Sequence, residues 1–274
     1  MGNGSIFLKP RLAILLKISM FHSAKKLCQP LTRIVSLVPS QTELLFDLGL
    51  ENAIIGITKF CVHPLNGRLN KTIIGGTKDV RIPTIKSLQP DLIIANKEEN
   101  VKDQVQLLSE EFPVFVTDVY NLTSALKMIN SIAQITNTET KAAELIKSIR
   151  SDFENLPNYP KIKAAYLIWR APYMTVGGDT FINDMMSYSG FENVFSGKTR
   201  YPVITIEEIK LMDCQVLMLS TEPYPFKQKH IAELQIQLPG IKIMLVDGEM
   251  FSWYGTRLLY ATNYFKSLRA ILGL

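Results

Sequence analysis

From Arg33 to Val38 the chain reads RIVSLV, a short apolar run rich in β-branched residues, and after Pro39 and Ser40 it continues as QTELLFDLGL. The pattern predicts a buried strand, a turn with Ser40 as helix N-cap, and a helix stopped near Gly49. The same grammar recurs. AIIGI (53–57) predicts a strand, IKSLQPDLIIA (85–95) a short helix, a turn and a strand, EENVKDQVQLLSE a helix, and PVFVTD (113–118) a strand. Strands alternating with helices argue for a largely parallel sheet covered on both faces.

Residues 121–155 change period. Leu122, Ala125, Leu126, Ile129, Ile132 and Ala133, and then Ala142, Ala143, Leu145, Ile146 and Ile149, fall at helical spacing. They predict a connecting helix over 121–156, bent at Thr136 to Thr140. Beyond it the first grammar returns. AAYLIW (164–169), QVLMLS (215–220) and IKIMLVDG predict strands; FINDMMSYSG, ITIEEIKLM, KQKHIAELQIQ and a closing segment from Gly255 predict helices. Setting IKSLQPDLII over IKLMDCQVLM aligns Ile85 with Ile209 and Asp91 with Gln215 at one offset, so the halves look like two versions of one unit.

The resulting expectation is an α/β protein: two Rossmann-like lobes with mainly parallel sheets, residues 31–120 and 157–274, joined by one long backbone helix. A ligand cleft lies between the lobes, facing the carboxyl ends of the strands, where such sheets bind ligands.

Charge changes less than it promises. The net charge of +5 is carried by Lys9, Arg11, Lys17, Lys25 and Lys26 in residues 1–30, which contain no acid; the rest holds 25 basic and 25 acidic residues. No basic face for nucleic acid is expected. Residues 1–30 read as a poorly ordered or mis-annotated extension, with Met20 as a second candidate start. Their apolar run LAILL, ended by Lys17, is too short for a membrane span and a poor match to a secretory signal, and Cys28 lacks a lipoprotein context. Three cysteines without CxxC spacing indicate neither a disulfide framework nor a zinc site.

The predicted strand ends concentrate aromatic and polar residues. Pro39, Ser40, Phe60, His63, Asn96, Trp169, Arg170, Tyr173, Phe251, Trp253, Tyr254 and Arg257 are the candidate ligand-facing positions. Flat apolar walls with a few cations suit a large, partly polar organic ligand. Trp169 fits two roles, the last core residue of its strand or a wall of the site. MFSWYG, around Trp253 and Tyr254, has no strand or helix period. Arg170 and Arg257 fit either carboxylate or phosphate partners or ordinary surface positions. His63, in CVHP, has the chemistry to coordinate the metal of a bound chelate but not the company for a protein-only site. His22 and His230 read as solvated.

Catalytic patterns are missing: no GxSxG, HExxH or Walker loop occurs, and Glu98 and Glu99, as helix neighbours, diverge by about 100°. No catalytic residue, resident metal or intrinsic cofactor is expected.

RIVSLVPSQTELLFDLGL, GGTKDV, IKSLQPDLIIA, SYSGFENVF and ITIEEIKLM, in this order around a long helix, resemble the substrate-binding proteins of ABC importers for vitamin B12, ferric siderophores and haem. The resemblance covers residues 33–272. It implies a bilobal monomer of the periplasm or cell envelope that holds a metal chelate, cobalamin first, between lobes braced by helix, and passes it to a permease. It places His63-Pro64 at the family's ligand-facing turn. It also implies one docking acid per lobe at the start of the helix before the PD-type strand: Glu207 matches, whereas Pro83 stands at the other position. With that acid and a credible export signal both wanting, a cytoplasmic corrinoid- or chelate-handling protein or enzyme on the same scaffold is the alternative.

Overall fold

The computed structural model describes Phe21–His22 and residues 30–273. By contact the chain divides into two compact units. The first runs through Val119 and includes Leu126–Ile146; the second comprises Tyr120–Ala125 and the chain from Lys147 onward.

In the first unit, β1 (Phe21–His22) is followed by β2 (Ile34–Ser36), α1 (Pro39–Asp47), β3 (Ile54–Ile57), β4 (Thr72–Ile73), α2 (Ile82–Ser87), β5 (Leu92–Asn96), α3 (Lys102–Ser109) and β6 (Val114–Thr117). The sheet order is β1-β6-β5-β2-β3-β4, parallel except at β1, which pairs antiparallel with β6. Every residue of β2 and β5 is buried. Helices on both faces exclude water from a parallel sheet, and these strands therefore read as continuous apolar runs rather than alternating ones.

The expected capping of α1 differs in the structure. Val38, in extended conformation, is the N-cap residue and Ser40 is the second helical residue, because Pro39 occupies the first helical position, where its fixed φ and missing N–H cost nothing. The stop at Gly49 is as expected. Gly49 has φ +83°, and its N–H donates to the Phe46 carbonyl at 2.8 Å, closing the helix end in a region that side chains resist.

Two helices, α4 (Leu122–Thr136) and α5 (Glu139–Glu154), replace the single connector expected over 121–156. The bend expected at Thr136 to Thr140 is a break. Asn137 takes φ +57°, the Thr138 N–H reaches back to the Ala133 carbonyl at 2.9 Å, and the Thr136 hydroxyl donates to the Ile132 carbonyl at 2.8 Å. Local hydrogen bonding by these threonines satisfies the last carbonyls of α4 and lets α5 restart at once.

The second unit continues with β7 (Ile162–Leu167), α6 (Phe181–Tyr188), β8 (Phe191–Asn193), α7 (Ile206–Leu211), β9 (Val216–Ser220), α8 (Gln228–Gln237), β10 (Lys242–Val246), α9 (Glu249–Ser252) and α10 (Leu258–Ile271). Its all-parallel sheet is ordered β10-β9-β7-β8. Position by position this matches β6-β5-β2-β3 of the first unit. The match extends to side chains. Asp91, before β5, accepts from the backbone N–H groups of Thr32 and Arg33 at 2.9 and 3.0 Å, and Gln215, before β9, accepts from that of Lys163 at 3.0 Å. The offset seen in the sequence is thus a repeated clasp that pins the start of a neighbouring strand.

Candidate functional site

Both sheets are parallel, so their carboxyl ends gather the loops of each unit on one edge. In the first unit that edge rests on a buried polar network. The Thr42 hydroxyl donates to Ser36 Oγ at 2.8 Å and meets Cys61 Sγ at 3.1 Å; Thr58 Oγ1 lies 3.2 Å from the same sulfur. Burial pushes the pKa of the Cys61 thiol up against the opposing pull of these hydroxyls, which disfavours its thiolate. The Gln41 amide donates to Thr117 Oγ1.

Asn96 belongs to this framework. Its amide donates to the carbonyl and hydroxyl of Thr117, both at 3.1 Å, while its Oδ1 accepts from the N–H groups of Glu98 and Glu99 at 2.8 and 3.1 Å. Glu98 and Glu99 therefore sit in a turn ordered by Asn96 and not on a helix. Pro39 and Ser40 are likewise buried, at the start of α1. What this edge holds out to solvent is Phe60, 49% exposed, with the Lys59 ammonium 5.1 Å from its ring centre, followed by half-buried His63.

The second unit repeats that arrangement at the end of β7. The strand stops at Leu167, two residues short of the expected end, and Trp169 is 41% exposed. Of its two roles, the core one is excluded. A tight turn brings Met174 back beside Trp169, its N–H donating to the Trp169 carbonyl at 3.2 Å, and so sets Trp169, Arg170 and Tyr173 together. The Trp169 ring meets Tyr224 edge-on at 5.6 Å, and Arg170 Nη2 pairs with Glu233 Oε2 at 2.7 Å. Arg170, Pro172, Tyr173, Val203, Ile204 and Thr205 are among the residues lining a pocket of about 440 Å³.

The residues after β10 divide. MFSWYG includes the last three residues of α9, a single turn too short to show a period. Phe251 is fully buried, with Tyr166 and Phe265 at ring-centre distances of 5.3 and 5.1 Å, and is a core residue. Trp253 and Tyr254 are buried too; the Arg257 guanidinium lies 5.5 Å from the Trp253 ring and pairs with Glu249 at 3.6 Å. The polar support here is Tyr166, whose hydroxyl donates to Ser220 Oγ at 3.0 Å and whose ionisation burial suppresses.

His230, read as solvated, is 3% exposed. Tyr224 and Phe226, from the loop before α8, cover it at 5.6 and 5.5 Å, and its Nδ1 accepts the Lys227 N–H at 2.9 Å. Burial first, and Arg170 and Lys229 next, hold its pKa below the usual imidazole range, against a weaker opposite pull from Glu233. The folded protein thus binds this proton less readily than the unfolded chain, and stability falls as pH drops through the ordinary imidazole range. Thermal melts at pH 7.5 and 5.5 should show this loss, and His230→Asn, which keeps an acceptor for Lys227 without a titrating ring, should reduce it. Equal acid losses in both proteins would contradict this role. His22 has no side-chain description, and Cys28 lies outside the described residues.

Among the described residues no three or more of His, Cys, Asp and Glu cluster to hold a metal ion, and no helix is long and apolar enough to cross a membrane. Glu207 is exposed in the first turn of α7, which is closed by a reciprocal Thr205–Glu208 cap; Pro83 is exposed in the first turn of α2.

Comparison with known proteins agrees with this architecture. The vitamin B12-binding protein of Vibrio parahaemolyticus is 25% identical over 215 residues, 76% of this chain and 78% of the relative. An uncharacterised ABC transporter substrate-binding lipoprotein of Bacillus subtilis is 28% identical over 189 residues, 65% of this chain and 60% of its own length. The crystal structure of a periplasmic haem-binding protein from Pseudomonas aeruginosa superimposes with a TM-score of 0.75 at 16% identity, covering 86% of this chain and 92% of that one, and shows the shared fold. The family model for periplasmic binding proteins matches residues 34–236, and the chain belongs to that family.

Proposed function

We propose that the protein captures a metal chelate, cobalamin first and otherwise haem or a ferric siderophore, and hands it as a monomer to an ABC-type permease at the cell envelope. One observation carries this reading: each unit holds out, at the carboxyl edge of its sheet, a half-exposed aromatic residue beside an ion-paired cation. Phe60 stands next to Lys59, paired with Asp79 at 3.9 Å, and Trp169 next to Arg170, paired with Glu233. Large exposed aromatic rings are costly in water and mark binding surfaces. Each gives a planar organic ligand stacking area, with His63 in the first unit and Tyr173 and Arg257 in the second as polar contacts. Asn96, Phe251, Pro39 and Ser40 are buried beneath the strand-end loops of their own units. The vitamin B12-binding relative and the haem-binding structural neighbour support the same ligand class.

Binding without chemistry on the ligand accords with the surroundings: the strand-end Cys61 thiol is buried and its pKa is raised by that burial, which disfavours a reactive thiolate. Titration with cyanocobalamin, haemin and a ferric siderophore, read by the ligand's visible bands and tryptophan emission, tests the proposal. Saturation by at least one is expected, and a flat response to all three would contradict it.

Docking on the permease would rest on Glu207 in the second unit, with Pro83 contributing no charge in the first. Long-range charge pairs speed and orient association and fade with salt. Glu207→Lys should abolish stimulation of the permease's ATP hydrolysis by loaded protein, whereas Pro83→Glu should tighten docking severalfold at low ionic strength and steepen its salt dependence. Wild-type stimulation by Glu207→Lys would remove this residue from the docking surface.

A further inference from the structure

The cations at the proposed site are already answered by carboxylates of the same unit. Arg170 Nη2 lies 2.7 Å from Glu233 Oε2, and Arg257 Nη1 lies 3.6 Å from Glu249 Oε2, a pair whose side chains are only 11% and 22% exposed. In the first unit Lys59 lies 3.9 Å from Asp79. A site built to hold carboxylates or catecholates would present guanidinium groups free to form bidentate contacts. Here a polyanionic ligand would have to displace Glu233 or Glu249 from its arginine and would then sit beside the displaced carboxylate. Like charges in such proximity penalise the wrong ligand, which is how a site rejects a class it has the shape to accept.

From this, and resting on the chelate-binding reading above, we infer that Glu233 and Glu249 are specificity-determining residues that select chelates of no net negative charge and exclude polyanionic ones. Neither needs to touch the ligand. Each acts by neutralising the arginine that does, leaving its aromatic neighbours to supply most of the attraction. Trp169, 41% exposed, precedes Arg170 in the chain, so charge compensation and stacking surface are combined there; the Arg257 guanidinium lies 5.5 Å from the buried Trp253 ring, where the ion pair is shielded from solvent.

The test is a matrix of three ligands against three proteins. Cyanocobalamin is neutral, haemin carries two propionates, and a ferric tris-catecholate is a trianion; each is titrated into wild type, Glu233→Gln and Glu249→Gln at low and at physiological salt. Wild type should bind cyanocobalamin most tightly and the trianion least. The ratio of trianion to cyanocobalamin affinity should rise about threefold in Glu233→Gln, whose pair is half-exposed, and roughly tenfold in the more shielded Glu249→Gln. The gain should shrink at the higher salt. Glu233 lies on the surface of α8, so its variant reports even if Glu249→Gln folds poorly. Wild type binding the trianion as tightly as cyanocobalamin would overturn the inference while leaving chelate capture intact, as would ratios unmoved in Glu233→Gln. Saturation by none of the three ligands would overturn chelate capture and this inference with it.

Discussion

Phe251→Ala is expected to lower the stability of the protein by about 3–5 kcal/mol, the range for removing a phenyl ring from a closed core. Phe251 is wholly shielded from solvent, and its ring touches Tyr166 of β7 and Tyr264 and Phe265 of α10 at centre distances of 5.3, 6.2 and 5.1 Å. Removing it would separate the helix from the sheet on which it rests. The void would also adjoin the Tyr166 hydroxyl, which depends on Ser220 for its hydrogen bond. Urea unfolding followed by circular dichroism measures the loss. A change below about 1 kcal/mol, the range of ordinary surface substitutions, would show that Phe251 is not a core residue. Phe60→Ala is the internal contrast, since a ring that is 49% exposed contributes little to folding.

Trp169→Ala should produce the opposite division of effects. Its ring has one described aromatic partner, Tyr224, and an open face, so stability should change by less than about 1 kcal/mol. Ligand affinity should fall by roughly thirtyfold, about 2 kcal/mol, as for an aromatic anchor at the centre of a binding surface. Trp169→Tyr should restore most of it, because a smaller ring still offers a face. The same titrations that establish the ligand measure this. Unchanged affinity in Trp169→Ala, with the fold intact, would remove the loop after β7 from the site.

The alternation of strand and helix was legible because buried parallel strands leave continuous apolar runs in the sequence, as at Leu92–Asn96 and Val216–Ser220. Helix ends at Gly49 and Gly190 were legible for a local reason: both take φ +83°, a region few other residues tolerate. The repeat was legible because Asp91 and Gln215 perform one task at one offset. β4, β8 and α9 were not, since, unlike the equally short β2, β3 and β6, they carry no continuous apolar run and are too short to show a period.

At the site, residue types on loops after strands could be picked out, but their directions could not. Asn96 and Phe251 belong to the same sequence neighbourhoods as Phe60 and Trp169, and only tertiary partners, Thr117 for one and Tyr166 for the other, turn them inward. His230 lies among charged and polar residues in KQKHIAEL, and nothing local shows that Tyr224 and Phe226 fold over it. The Arg170–Glu233 pair joins a strand-end turn to a helix beyond the next strand, a contact that spacing does not encode.

Hydrogen exchange with and without cyanocobalamin tests the proposed function most directly, that a chelate engages the loops at the carboxyl edges of the strands. The account predicts slowed exchange in peptides spanning residues 58–64, 169–174 and 249–257 together, at one ligand per chain. Protection absent from these loops, or spread over regions away from the strand ends, would contradict it.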